Sequence, residues 1–262
     1  MRDQTLSTPL PVPACKQRAQ GVLWTARPWM RKELLCSLLV YLGYTTVLCA
    51  QAFQNLDFES ATLVPLAGSY GYSFNLALPG WSGFSGTDQL NAALYDNAAL
   101  DSTVIGIIDT NVPYVSGLVI QGNYTAFLEA GLQLGSSTTS ADASLSQTGL
   151  VPLGTKSLSF LAVTNGPFAV SLGGTTLNLI SSPVAGHNYS LFQADITAFA
   201  GQTEELDFAV FAENPYNNFV RSLVLDDIQF SPEAVPEPSG LSLLIVGVAS
   251  LAFWPRARRR TA

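Results

Sequence analysis

After Cys49 the chain has no cysteine, and in 262 residues it has one histidine, His187. The first absence removes disulfides, thiolate metal sites and cysteine nucleophiles from everything downstream of residue 49. The second removes zinc sites built on two or three histidines and leaves a Ser-His-Asp triad only His187, in the turn-like stretch "PVAGHNYS". No Gly-x-Ser-x-Gly elbow supports such a triad. Basic residues are scarce as well. Between Phe53 and Val235 there are 16 acidic side chains but only Lys156 and Arg221 on the other side. Nucleic-acid binding needs cations to displace counterions from phosphates, so this segment is not expected to bind it. Its acidity suits solubility after export, or a divalent cation such as Ca²⁺ bound through carboxylate and carbonyl oxygens. Carboxylate pairs capable of glycoside hydrolysis are guaranteed by sheer number and so carry no signal. The chain is expected not to be an enzyme and to require no cofactor, with structural Ca²⁺ as the one candidate ion.

What is present is arranged in order. Residues 1–29 hold Pro9, Pro11, Pro13 and Pro28 without a periodic apolar face, and read as an upstream extension preceding Met30 or as a short cytoplasmic tail. Met30-Arg31-Lys32 is a basic start, Leu34 to Leu48 is mostly apolar, and Ala50-Gln51-Ala52 places small residues where signal peptidase reads them. Residues 30–52 are therefore expected to be a signal peptide with a helical apolar part. Cleavage would begin the mature chain at Phe53.

The far end carries a second address. Pro236 and Pro238 stop whatever secondary structure precedes them. An uncharged stretch then runs from Leu241 to Trp254, and Arg256, Arg258, Arg259 and Arg260 form a stop on the cytoplasmic side. The apolar run is shorter than the about 20 residues that span a bilayer core, which suits a transient transmembrane anchor. A buried terminal helix is the alternative. The sequence Val235-Pro236-Glu237-Pro238-Ser239, apolar stretch and Arg-rich end resembles the PEP-CTERM sorting signal of Gram-negative bacteria. That resemblance, over residues 233–262, implies an exosortase-type membrane protease as partner, a precursor anchored in the inner membrane, and delivery to the cell surface or an extracellular polysaccharide matrix.

Residues 53–232 read as strands. Leu158, Phe160 and Ala162 alternate in "KSLSFLAV"; Leu206, Phe208 and Val210 alternate in "LDFAVFAE"; Val224, Ile228 and Phe230 share a parity in "LVLDDIQF". Turn residues punctuate these runs, and no helical stripe is sustained. The expected fold is all-β, a single antiparallel sandwich. Four pieces, "NLDFE" from Asn55 to Glu59 as first strand, "LPGW" from Leu78 to Trp81, "ASLSQT" with "KSLSF", and "LVLDDIQF" as last strand, resemble the jelly-roll carbohydrate-binding-module and galactose-binding-like superfamily. The resemblance implies that the first and last strands lie close and hold calcium, with Glu59 and Asp226 as first candidates and Asp57 and Asp227 next. Strand parity points the Asp226 carboxylate inward, where it needs a cation or hydrogen-bond donors; a slip of one residue would turn Asp227 inward instead.

Glycan binding calls for exposed aromatic faces beside polar groups. Tyr70, Tyr72, Trp81 and Tyr95 are the candidates, with Phe84, Tyr114 and Tyr216 in similar surroundings. Trp81 serves equally well as a packing residue at the sandwich edge. Two functions remain in view: a non-catalytic envelope or matrix protein associated with exopolysaccharide, and a glycan-binding module.

Overall fold

The structure is a computed structural model and describes residues 51–97, 102–111, 118–133, 136, 138–212 and 221–235. They belong to a compact unit, Cys49–Ala262. The upstream extension, the apolar part of the signal, Pro236 to Ser239, the terminal apolar run and Arg256, Arg258, Arg259 and Arg260 lie outside the described residues. Among the described residues no helix is long and apolar enough to cross a membrane.

The described strands form two sheets. The larger contains β1 (Tyr72–Ser73), β4 (Ala92–Tyr95), β5 (Val104–Asp109), β6 (Tyr124–Leu132), β15 (Arg221–Ser231), β9 (Ser157–Thr164), β13 (Ser190–Asp195) and β12 (Ile180–Pro183), in that spatial order, with β7 (Ser140–Ala141) paired to β6. The smaller runs β11 (Thr175–Thr176), β10 (Phe168–Leu172), β14 (Thr203–Val210), β8 (Ala143–Leu150), β2 (Ser82–Ser85), β3 (Asp88–Gln89). One four-residue helix, α1 (Phe74–Ala77), follows β1. Alternation places Leu145, Val170, Leu206 and Phe208 of one sheet against Ile105, Leu128, Phe160 and Leu225 of the other in a common core. Phe160 anchors it, edge-on to Phe208 at 5.2 Å and stacked on Phe192 at 5.3 Å. Such aromatic pairs contribute about 0.5–1.5 kcal/mol each beyond their area.

Three expectations need correction. The sandwich is not wholly antiparallel, because β4 and β5 pair in parallel through Leu94 with Gly106 and Tyr95 with Ile107. Asn55 to Glu59 is a turn, not the first strand: Asn55 and Phe58 have φ of 49° and 56°, and the Ser60 N–H donates to Asn55 Oδ1. That turn drives Phe58 into the core, and its neighbour Leu56 reaches the last strand by accepting from the Ile228 N–H at 3.0 Å. The proximity of first and last segments is therefore kept with a turn in place of a strand. Finally, Val224, Asp226, Ile228 and Phe230 do not share a face. A bulge between Asp226 and Gln229, with Asp227 at φ 50°, changes the parity of β15. Val224 joins an outer cluster with Val104, Ile108, Ile120, Phe127 and Leu161, whereas Ile228 and Phe230 pack on the central core.

Residues 51–54 are docked too. Leu150 N–H donates to Gln51 O, Ala52 bridges Leu150 in parallel, and the side-chain amide of Gln147 binds both the N–H and the C=O of Gln54. Phe53 stacks on Phe230 at 4.9 Å, over Gly149. This strap extends the β8 edge where β2 ends, and it includes two residues upstream of the expected cleavage point.

Candidate functional site

The structure sends the four aromatic candidates to different places. Trp81 is 2 % exposed, tilts against Phe58 and Phe208 at 5.7 and 6.2 Å, and donates its indole N–H to Asn55 O at 3.1 Å. It takes the packing alternative and offers no face to a ligand. Tyr70 is 97 % exposed, next to the tip of a hairpin in which residues 62–66 pair with 71–76. Tyr72 and Tyr95 are brought together: β1 pairs with β4 so that Tyr72 faces Ala93, and the diagonal neighbour Tyr95 meets it edge-to-face at 5.4 Å. Both rings are half-buried at the β1 end of the larger sheet, where Pro65 bridges Tyr72. Phe84 is half-buried on β2, and Tyr114 and Tyr216 lie outside the described residues.

Polar groups converge on Tyr95. Its hydroxyl donates to Asp109 Oδ2 at 2.7 Å. Asp109 also accepts from the Asn111 N–H at 2.6 Å and Asn111 Nδ2 at 2.9 Å, while its own N–H donates to Asp96 Oδ1 at 2.9 Å. The parallel β4–β5 pairing is what sets Asp96 and Asp109 side by side, each at or just past the end of its strand. Hydrogen bonding to Asp109 raises the Tyr95 pKa above its ordinary 10, helped by burial and by the charge of Asp96. Burial raises Asp96, reinforced by contact with Asp109. Burial alone would raise Asp109 as well, but the donors from Tyr95 and Asn111 outweigh it and hold that carboxyl below 3.8. Sequence reasoning found the two tyrosines and missed Asp96, Asp109 and Asn111. The available signal was polar residues closing two apolar strands, in "ALYDN" and "IIDTN".

Three of the four carboxylates expected around calcium, Glu59, Asp226 and Asp227, hydrogen-bond to one turn, residues 121–125, and Asp57 does not. Glu59 accepts from the Asn123 N–H at 2.7 Å, Asn123 Nδ2 at 2.8 Å and the Tyr124 N–H at 2.9 Å. Partial burial would raise its pKa, but these donors lower it below 4.5. Asp226, 1 % exposed, accepts from the Gln121 N–H at 3.0 Å, Thr125 Oγ1 at 2.9 Å and the Asp227 N–H at 2.7 Å. Burial nevertheless pushes its pKa up to about 6. Asp227 accepts from Gln229 Nε2 and Gln121 Nε2, and Asp57 accepts weakly from the Glu59 N–H at 3.4 Å. Calcium wants six to eight oxygens. Here Glu59 and Asp226 face N–H and O–H donors, and among the described residues no group of three or more His, Cys, Asp or Glu is placed to hold one ion. The arrangement fits a hydrogen-bonded clamp on a turn and does not fit a calcium shell.

No protein-family model and no curated protein matches the chain. Solved structures similar to it include TmCBM61 in complex with β-1,4-galactotriose, at 14% identity over 70% of this chain and 99% of that one, with a TM-score of 0.34. The K2 cleaved adhesin domain of Lys-gingipain matches at 12% identity over 67% and 96%, TM-score 0.34. A family 11 carbohydrate-binding module from Clostridium thermocellum, in complex with a β-1,3-1,4-mixed-linked tetrasaccharide, matches at 11% identity over 60% and 92%, TM-score 0.31.

Proposed function

We propose that this chain is an exported, non-catalytic surface protein whose jelly-roll-like sandwich holds extracellular polysaccharide at the Tyr72–Tyr95 edge. The observation that carries the reading is the pairing of two half-exposed tyrosines with Asp96, Asp109 and Asn111. Sugar rings present C–H faces that pack on aromatic rings and vicinal hydroxyls that donate to carboxylates and amides, and both kinds of partner meet here. Export by residues 30–52 and exosortase-type processing near Pro236-Glu237-Pro238 deliver the sandwich, through a transient inner-membrane anchor, to the surface of a Gram-negative bacterium.

A glycan array tests the binding. Saturable binding that drops at least about tenfold in Tyr72→Ala, with the variant still folded, supports the reading. A flat response across the array leaves a passive matrix protein. Mass spectrometry of the envelope and secreted fractions tests delivery: a chain ending near Pro238 is expected, and an intact chain through Ala262 would make the anchor permanent.

A further inference from the structure

We propose that β12 is an interface between copies of this chain: two molecules join their larger sheets by antiparallel pairing of β12 with β12 of the second copy. β12 ends the larger sheet, and all its residues from Ile180 to Pro183 are exposed. Its pairing with β13 fixes which backbone groups face out. The Val184 N–H donates to Tyr189 O, so the hydrogen-bonded pairs of the same ladder are Ser182 with Leu191 and Ile180 with Gln193. Ser181 with Phe192 and Pro183 with Ser190 are the pairs that do not bond each other. The N–H and C=O of Ser181 therefore point away from the sheet, and among the described residues nothing bonds them.

Charge selects this edge over the others. Between Phe53 and Val235 the chain carries 16 acidic and two basic side chains, yet from Ser157 to Ala194, the stretch that forms most of β9 to β13, there is no Asp, Glu, Lys or Arg. Two copies of so acidic a body repel wherever carboxylates face each other, and approach closely only where both surfaces are neutral. β12 meets that condition, with Ile180 44 % exposed as its apolar contact. Asp195, which closes β13, lies beyond the end of β12 and is bound to Thr197. The other sheet ends do not meet it. β1 is bridged by Pro65, β3 carries Asp88, and β11 is only Thr175–Thr176, behind Gly173, against which the Glu204 carboxylate lies. Charged side chains are a common guard on edge strands, and β12 has none.

Pro183 sets the register. Its position faces outward, so its missing N–H costs the β12–β13 ladder nothing, but it offers a neighbouring strand an acceptor alone. Pairing about a two-fold axis at Ser181 sets Ser181 against Ser181 of the second copy, each donating to the other's carbonyl. Sliding the strands to set Pro183 against Ser181 leaves the Ser181 carbonyl without a donor. The contact is isologous and closes as a dimer. On the outer face Ile180 then lies beside Ser182 of the second copy. A strand of four residues buries less than the about 1,200 Å² of a standard interface, so the dimer is weak. Because the larger sheet ends at β1 on its other side, the joined sheet carries a Tyr72–Tyr95 pair at each far end. With the glycan reading above, the dimer becomes a bivalent holder of polysaccharide.

The test is sedimentation velocity of the purified full-length chain in mild detergent, which keeps the terminal apolar runs apart, up to about millimolar concentration. A dimer is expected that tightens as salt rises, because screening removes the repulsion between the acidic bodies. Ser181→Pro removes the outward N–H and keeps the β12–β13 ladder, and should weaken the dimer at least about tenfold. Ile180→Glu, which changes a side chain and no backbone group, should do the same. Thermal unfolding confirms that both variants are folded. Ser181→Cys, with Cys15, Cys36 and Cys49 replaced by serine, should give a disulfide-linked dimer, since opposed residues of a hydrogen-bonded antiparallel pair lie about 5.5 Å apart. Thr176→Cys in the same background should not. A chain that stays monomeric at every concentration overturns the proposal. So does a dimer that survives both Ser181→Pro and Ile180→Glu, which assigns association to another surface. Neither result touches the glycan array, which decides the sugar reading separately.

Discussion

Thr125 Oγ1 donates to Asp226 Oδ2 across 2.9 Å, tying the start of β6 to the bulge of β15. The same hydroxyl oxygen accepts from the Ile120 N–H at 3.0 Å, so one buried threonine holds both a carboxylate and the segment that covers the outer apolar cluster. Thr125→Val keeps the shape, takes the acceptor from the Ile120 N–H and removes one of the three donors to Asp226. A loss of about 1–3 kcal/mol is expected, read as a lower denaturant midpoint with unchanged slope.

Gly122 has φ +59°, and a Cβ there would lie 2.2 Å from Glu59 Oε1. Gly122→Ala therefore combines backbone strain with expulsion of the carboxylate that binds Asn123 and Tyr124. It should destabilise more than Glu59→Gln, which keeps one acceptor oxygen. Urea unfolding of the two variants ranks them, and the reverse order would mean that the clamp matters more than the turn.

If the carboxylates around residues 121–125 act as a clamp, chelation has nothing to remove. The melting temperature is expected to be the same in EDTA and in millimolar calcium. A rise of several degrees with calcium would place an ion among Glu59, Asp57, Asp226 and Asp227 and return the donors there to a coordination shell.

Asp207 and Asp226 are both pushed up to about 6 from 3.8, chiefly by burial, and for Asp207 also by the charge of Glu205. A raised folded-state pKa means that the folded form binds protons first. The contribution of these two groups is therefore most favourable below about pH 4 and declines as pH rises through about 6. Glu59, Asp109 and Asp195 are shifted down and act oppositely, withdrawing stability as acid protonates them below their ordinary values. Stability should be highest at about pH 4 and decline towards about pH 6. Asp207→Asn should raise the melting temperature at pH 7 and shrink its difference from pH 5; an unchanged difference would show that Asp207 stays ionised throughout.

Trp81 and Tyr72 separate core from site. Trp81→Phe should lower stability, because a smaller ring leaves space beside Phe58 and Phe208 and removes the indole donor to Asn55 O, yet leave sugar affinity unchanged in the folded fraction. Tyr72→Ala should do the reverse. Calorimetric titration alongside thermal melts distinguishes the two patterns.

Much of the sandwich was legible because strand parity is a local property. Leu158, Phe160 and Ala162, and Leu206, Phe208 and Val210, all face the core as their alternation requires. Asp226 is buried as expected, but parity misled beyond it, at Ile228 and Phe230, because a bulge adds a residue, and the positive φ that permits it falls on Asp227, not on a glycine. Asn55 to Glu59 looked like a strand for the same reason: its turn depends on αL residues, Asn55 and Phe58, that carry no glycine signal.

The sequence by itself determined the class of fold and the strongly acidic and cysteine-free character of residues 53–235, since composition and period-two hydrophobicity are written residue by residue. Tertiary structure alone decided that Trp81 is core, that Glu59 and Asp226 grip a turn, and that Tyr72, Tyr95, Asp96 and Asp109 stand together. Those contacts join residues as far apart in the chain as Trp81 and Phe208, and the parallel β4–β5 pairing that assembles the tyrosine–aspartate cluster is a choice of strand neighbour, which no local pattern encodes.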